Sequence, residues 1–151
     1  MQKIKYSLRD YKYKDQEFVY QTKKDVYKKY VEANWGEWNE EAQREMFKNF
    51  ITAYGDDIKI IVVGSDRIGF YHGNDDDKGN YELGNICIIP EYQGKGIGTK
   101  VLKEILAEHN HQDIYLRFFK QNPVVKLYER LGFEMDEELE FHYKMCLKSK
   151  K

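Results

Sequence analysis

The residues best equipped for chemistry in this chain are Gln93-Gly94-Lys95-Gly96-Ile97-Gly98-Thr99. An apolar run, Ile86-Cys87-Ile88-Ile89, precedes them and is closed by Pro90. A helical pattern follows, with Val101, Leu102, Ile105 and Leu106 on one face. Strand, glycine-rich turn and helix in that order make an anion site. Glycines let the backbone approach a ligand closely, and the unpaired N–H groups of a first helical turn point at one place. The helix dipole adds about half a positive charge there. The chemistry on offer is the binding of a phosphate or pyrophosphate. A Walker A loop needs its last glycine followed by lysine and then Ser or Thr; here Gly98 is followed by Thr99 and Lys100. The dinucleotide fingerprint needs G-x-G-x-x-G, whereas these glycines fall as G-x-G-x-G. The bland alternative is a turn that only joins a strand to a helix.

The elements that must position this loop are legible in the hydrophobic pattern. Ile4 to Leu8 alternates and reads as an edge strand. A long helix from about Asp15 to Asn34 carries Phe18, Thr22, Val26, Tyr30 and Ala33 at helical spacing and stops at Gly36. Asn39 caps a second helix with Ala42, Met46, Phe47, Phe50 and Ile51 inward. Ile58 to Val63, the turn Gly64-Ser65-Asp66 and Arg67 to His72 form a hairpin. Gly73 to Gly79 is a polar loop with three aspartates in a row, and Tyr81 to Ile89 is the strand that feeds the glycine loop. The third helix runs from about Gly96 to Glu108, followed by a strand at Ile114 to Phe119. Asn122 caps and Pro123 opens a fourth helix, which ends at Gly132. Phe133 to Met135 and Phe141 to Leu147 are a last strand pair around the acidic turn Asp136-Glu137-Glu138. The order β-α-α-β-β-β-α-β-α-β-β describes an α/β chain, α+β in detail, with a central mixed sheet and helices on both faces. With no repeat or linker, residues 1–151 read as a single domain.

Composition narrows the function classes. Charged residues are 34% and the formal net charge is −1, so nothing calls for nucleic acid or an anionic membrane. No apolar window approaches a membrane span, and Met1-Gln2-Lys3 leads into no signal-like run, so the cytoplasm is the expected compartment. Cys87 and Cys146 sit in strand-like runs and read as buried thiols rather than a disulfide. No Cys/His cluster suggests a metal, and His109 and His111 read as surface residues.

A second stretch decides between the readings of the loop. Asn122-Pro123-Val124-Val125-Lys126-Leu127-Tyr128-Glu129-Arg130-Leu131-Gly132-Phe133 resembles the N…LYe.lGF signature of the GCN5-related N-acetyltransferase (GNAT) family. The glycine loop resembles that family's [QR]-x-x-G-x-[GA] pyrophosphate loop. The two motifs stand in the family's order and separation, and the element order is that of the GNAT acyl-CoA N-acyltransferase fold. Many members have one more residue between the asparagine and the tyrosine, so the asparagine's contact transfers less securely than the tyrosine's.

The resemblance implies roles. Acetyl-CoA is the cosubstrate. The backbone of Ile86, Cys87 and Ile88 takes the pantetheine arm and polarises the thioester carbonyl. Gln93, Gly94, Lys95, Gly96, Ile97, Gly98 and Thr99 take the pyrophosphate, and Asn122 also touches the cofactor. Tyr128 lies near the sulfur and protonates the leaving thiolate. Read from spacing alone, Tyr128 is an apolar-face residue with Val124 and Leu131, which also suits a core tyrosine. Glu82 stands where several members keep a general base, and a partly apolar cleft would raise its pKa; the alternative is a solvated strand carboxylate. Cys87 alternates to the opposite face from Ile86 and packs. The acceptor site is expected at the first two helices and the last strand pair, at Trp35, Glu37 and Trp38 and around Glu134, Asp136, Glu137 and Glu138; one aspartate of Asp75-Asp76-Asp77 could also face a basic substrate. The implied function is acetyl transfer to a primary amine by direct attack in a ternary complex. The alternative is a silent acetyl-CoA-binding regulatory or interaction module. No metal, nucleic acid or membrane partner is expected, and a homodimer is compatible with the family.

Overall fold

The computed structural model describes residues 4–150; Met1 to Lys3 and Lys151, which the single-domain expectation also spans, lie outside the described residues. The elements are β1 (Ser7–Asp10), α1 (Gln16–Trp35), α2 (Glu40–Tyr54), β2 (Ile58–Val63), β3 (Asp66–Asp75), β4 (Tyr81–Ile88), α3 (Ile97–Glu108), β5 (Ile114–Phe119), α4 (Val125–Arg130), β6 (Glu134–Glu138) and β7 (His142–Leu147). The strands follow the order β1-β2-β3-β4-β5-β7-β6 in a seven-stranded sheet. Pairing of β4 with β5 is parallel, and that of β1–β2, β2–β3, β5–β7 and β6–β7 is antiparallel, so the sheet is mixed. The described residues fall into two compact units: residues 4–72 with 85–102, and residues 73–84 with 103–150. No helix among the described residues is long and apolar enough to cross a membrane.

The first unit is built on β2. Ile58, Ile60 and Ile61 are all fully buried, which is the run expected of a strand covered on both faces. Ile58 and Ile60 join Val19 and Tyr20 of α1, Phe47 of α2, Phe70 of β3 and Cys87 of β4 in one core cluster. Tyr20 and Phe47 meet edge to face at 5.3 Å. Helix α1 buries Val19, Tyr20, Thr22 and Tyr30. Thr22 is tolerated there because its hydroxyl donates to the Phe18 carbonyl at 2.7 Å. Ala33, expected inward, is exposed, and so is Met46 of α2. Asn39 does cap α2, accepting the Ala42 N–H at 2.8 Å. Strand β1 starts later than the alternation at Ile4 suggests: Ser7 already pairs with Val62, and β2 ends one residue further on.

A buried carboxylate ties this unit's edge. Asp15 is fully buried and accepts from Arg9 through both oxygens at 2.8 and 2.9 Å, from Arg67 at 3.3 Å and from the Lys12 N–H at 2.9 Å. The Arg9 hydrogen bonds hold its carboxyl far below the usual carboxylate range.

In the second unit, β5 pairs with β7 from Ile114↔Leu147 to Phe119↔His142. Ile114, Leu116, Phe118, Met145, Cys146 and Phe133 are among its buried residues. Three expectations need correction here. The polar loop is shorter than Gly73 to Gly79, because β3 runs on to Asp75 and the turn closes with the Asp76 N–H on the Asn80 carbonyl at 2.8 Å. Asp136, Glu137 and Glu138 are not a turn; they lie in β6, whose partner residues on β7 include Lys144 and Tyr143. Helix α4 starts at Val125 rather than Pro123, because the Asn122 side chain accepts the Val124 N–H at 3.2 Å and holds that segment as a turn.

Replacing Asp15 by Asn should lower unfolding free energy by about 2–3 kcal/mol; breaking a fully buried pair costs more, but here Arg9 keeps contact with water. A carboxyl with a depressed folded pKa contributes stability that is present above its unfolded pKa of about 3.9 and is lost as pH falls. Urea unfolding between pH 7 and 3 should therefore show a shallower acid decline in the variant than in the wild type.

Candidate active site

The glycine loop leaves β4 through a short turn at Pro90–Tyr92. Gln93 is exposed as a residue, yet its Nε2 donates to the Ile88 carbonyl at 2.8 Å and ties the loop to the end of the strand. Gly94 and Gly96 have φ of 74° and 83°, where a side chain is strained, and no atom lies within 4 Å of a built Cβ at either. Helix α3 begins at Ile97, and its first N–H groups have no carbonyl upstream within the helix. Ile97, Val101, Leu102 and Ile105 are buried and anchor the helix, each contributing about 1.5–3 kcal/mol. A helix start behind two open, left-handed glycines has the backbone geometry that suits an anion. Lys95 is exposed beside it.

The strand behind the loop is equally defined. Cys87 is fully buried, and burial pushes its thiol up to about 12. Ile86 is half-buried. The Ile89 N–H donates to the Ile68 carbonyl of β3 at 2.9 Å. A Cβ on Gly69 would strike the Cys87 carbonyl oxygen, so Gly69 is what lets β3 lie this close to β4.

In the second unit, Tyr128 is half-buried on α4, with its ring 5.5 Å from Phe118 and 5.6 Å from Phe133. Its N–H bonds the Val124 carbonyl at 3.1 Å, and its own carbonyl accepts from Phe133 at 3.0 Å. The backbone at Tyr128 is thus bonded in both directions, and its ring packs against Phe118 and Phe133. Glu82 is exposed on β4, in register with Tyr115 of β5.

The residues expected to meet an acceptor are mostly engaged already. Trp38 is half-buried and donates from Nε1 to Glu40 at 2.9 Å, whereas Trp35 is 52% exposed; Glu37 is exposed. Glu138 pairs with Lys120 at 2.9 Å, and Asp136 lies 4.0 Å from Lys144. Asp75 accepts from Gln112 at 2.8 Å, and Asp76 accepts the N–H groups of Lys78 and Asn80. His109 is not a bare surface residue: it stacks on Tyr81 at 3.6 Å and is half-buried. Sequence reasoning missed Lys23 and His72 of the first unit. Lys23 sits on the inner side of α1, and burial lowers the pKa of His72 to about 4. The signal for Lys23 was its spacing of four from both Val19 and Tyr27.

Comparison with known proteins settles the class. The family model for the acetyltransferase (GNAT) domain matches residues 49–135. The chain belongs to the GNAT acetyltransferase family. A spermine/spermidine N(1)-acetyltransferase of Bacillus subtilis (strain 168) is 38% identical over 88 residues, which are 54% of this chain and 58% of that protein. The chloroplastic GCN5-related N-acetyltransferase 2 of Arabidopsis thaliana is 32% identical over 72 residues, 47% of this chain and 28% of its own length. The chain therefore spans little more than half of the Bacillus relative it matches. Among solved structures, the PaiA N-acetyltransferase of Thermoplasma acidophilum in complex with coenzyme A superposes with a TM-score of 0.70 at 19% identity, covering 96% of this chain and 99% of that one. An acetyltransferase from Thermus thermophilus gives 0.73 at 14% identity, covering 97% and 98%. These likenesses establish the fold.

Replacing Gly96 by Ala should place a side chain in the left-handed region, at a cost of about 1–2 kcal/mol. The variant's urea midpoint should fall accordingly, and pyrophosphate protection of the protein against unfolding should weaken with it.

Proposed function

We propose that this chain transfers an acetyl group from acetyl-CoA to a primary amine by direct attack of the amine on the thioester. The observation that carries the reading is the loop from Gln93 to Thr99: two left-handed glycines, unobstructed, at the start of a firmly anchored helix. Membership of the GNAT family supports acetyl-CoA as the donor, and the coenzyme A complex of the Thermoplasma neighbour agrees with it. The Bacillus relative's name, with spermine and spermidine in it, supports an amine as the acceptor.

In this reading the N–H groups of Gly94 to Thr99 donate to the pyrophosphate oxygens, with Gln93 holding the loop in place and Lys95 adding a screened charge at the rim. The backbone of Ile86, Cys87 and Ile88 bonds the pantetheine arm, and the N–H groups around Ile86 and Cys87 polarise the carbonyl. Asn122 spends its Oδ1 on the Val124 N–H, which leaves its amide nitrogen for the cofactor. The amine nitrogen forms the new C–N bond as the C–S bond breaks. The thiolate takes its proton from Tyr128, and the amine's proton passes to Glu82, directly or through water. The clamp of Phe118 and Phe133 suits Tyr128 to a fixed role, and the exposure of Glu82 lets it return its proton to solvent. Cys87 carries no acyl group, since a buried thiol with its pKa near 12 stays protonated at neutral pH. A single domain, a homodimeric assembly and a cytoplasmic location go with this reading as further proposals.

The test is thiol release from acetyl-CoA over a panel of primary amines. Replacing Tyr128 by Phe should lower kcat by about 10²- to 10⁴-fold while leaving acetyl-CoA affinity in place. Replacing Glu82 by Gln should remove the acid limb of the pH–rate profile. Undiminished turnover in the Phe variant, or an unchanged profile in the Gln variant, would remove that residue from the mechanism. Acetyl-CoA binding with no thiol release on any amine would leave the chain a silent binding module.

A further inference from the structure

A cavity of about 290 Å³ opens within the second unit, between the later turns of α3, the start of β5, the end of α4 and the chain that follows β7. Its floor is apolar: Ile114 is fully buried, and Leu106, Leu131 and Leu147 are half-buried. Lys103, Leu106 and Asn110 recur at helical spacing, so one stripe of α3 faces it. Ile114 and Leu147 are cross-strand partners on β5 and β7. Gly132 follows α4 with φ of 100° and no side chain, which lets Leu147 close in; a built Cβ there would stand 3.1 Å from its Cδ1. The cavity lies at the Ile114 end of β5. Asn122, given above to the cofactor, follows the Phe119 end, roughly 17 Å along the strand.

The rim is basic. Lys103, Lys148 and Lys150 line the cavity and are exposed, so its mouth opens to solvent, and no carboxylate lines it among the described residues. Two hydrogen bonds hold the chain after β7 in place. The Ser149 N–H donates to Asp113 at 2.8 Å, and the Lys150 N–H donates to the Asn110 carbonyl at 2.9 Å. The backbone that carries Lys148 and Lys150 is therefore tied to the connection between α3 and β5. The Lys148 Nζ lies 3.7 Å from Asp113, whereas Lys103 and Lys150 have no ion pair among the described residues. Three ammonium groups thus surround an apolar hollow, with one carboxylate beside them. Like charges brought together repel, and apolar surface left in water is unfavourable. A ligand that is anionic at one end and apolar at the other relieves both.

We propose that this cavity binds a small monocarboxylate with an apolar stem, its head against Lys103, Lys148 and Lys150 and its stem on the floor of Leu106, Ile114, Leu131 and Leu147. The inference does not depend on the acetyl-transfer reading. The volume sits at the lower end of the range for small-molecule sites, about 300–1,000 Å³, which suits a short chain rather than a nucleotide. Ammonium groups act as point charges on flexible stems and answer a carboxylate without demanding one fixed geometry. The same three charges reject an amine, so this is a place apart from the acceptor's.

The direct test titrates the full chain, labelled with ¹³C at its isoleucine methyl groups, with octanoate below its micelle-forming concentration and at constant ionic strength. Ile114→Val assigns the reporter. Octanoate should move the Ile114 methyl signal saturably and leave those of Ile60 and Ile68, in the first unit, in place. Octanol has the same stem without the charge and should bind more weakly by about tenfold or more. Acetate, the head without the stem, should leave the Ile114 signal where it is. Lys103→Met combined with Lys150→Met should weaken octanoate binding by about tenfold or more, with octanol binding and the circular-dichroism spectrum unchanged. No saturable shift at Ile114, or shifts at Ile60 and Ile68 in its stead, overturns the site. Equal affinity for octanoate and octanol, or for the wild type and the double variant, overturns the carboxylate assignment. Acetate binding as tightly as octanoate overturns the role of the stem.

Discussion

The hydrogen bond from Gln93 Nε2 to the Ile88 carbonyl, at 2.8 Å, is the constraint on which the site depends. It closes a glycine-rich segment back onto the strand that delivers it. Without that tie, two consecutive left-handed turns would sample many conformations, and the entropy of ordering them would fall on the ligand. With it, the first amides of α3 are fixed before anything binds. The anchor is extended on both sides. Ile97, Val101, Leu102 and Ile105 fix the helix, and Gly69 allows β3 to lie against the Cys87 carbonyl. Preorganisation here comes from the backbone, the core and the single side-chain tie of Gln93.

Charge burial shows the same economy with one exception. Asp15 is fully buried but meets two guanidinium groups and a backbone N–H, so its negative charge strengthens the fold. Glu40 gathers Tyr20, Lys24, Trp38 and Arg44 at the head of α2. Lys23 and His72 break the pattern. Lys23 lies over the Phe50 ring and His72 meets the edge of the same ring, while the buried Nδ1 of His72 has no hydrogen-bond partner. An unpaired polar atom in a core is a cost to stability.

Most of the fold was legible because its signals are local. Strands β2 and β5 fall where their apolar runs place them, the Asn39 cap is made by the atom expected, and Gly36 and Gly132 take positive φ where α1 and α4 stop. The misses are those where a partner decides. Nothing in Ile4 to Tyr6 says that the β1–β2 ladder begins only at Ser7. Nothing in Asp136-Glu137-Glu138 says that Lys144 and Lys120 lie within reach and favour a strand over a turn. In the site, the glycine loop was legible because left-handed backbone demands glycine. The grip of Gln93 on Ile88 and the meeting of Lys23 with His72 were not, since both join residues through the fold rather than through a motif.

The central claim is that the amides from Gly94 to Thr99 form an anion cradle that is ready before acetyl-CoA arrives. Titrating ¹⁵N-labelled protein with acetyl-CoA while following backbone amide shifts tests it most directly. The account predicts large, saturable downfield shifts at Gly96, Ile97, Gly98 and Thr99, with the Gln93 side-chain amide unmoved because its bond to Ile88 is already made. Saturable binding that leaves those four amides in place, or a Gln93 side chain that reorganises on binding, would contradict it.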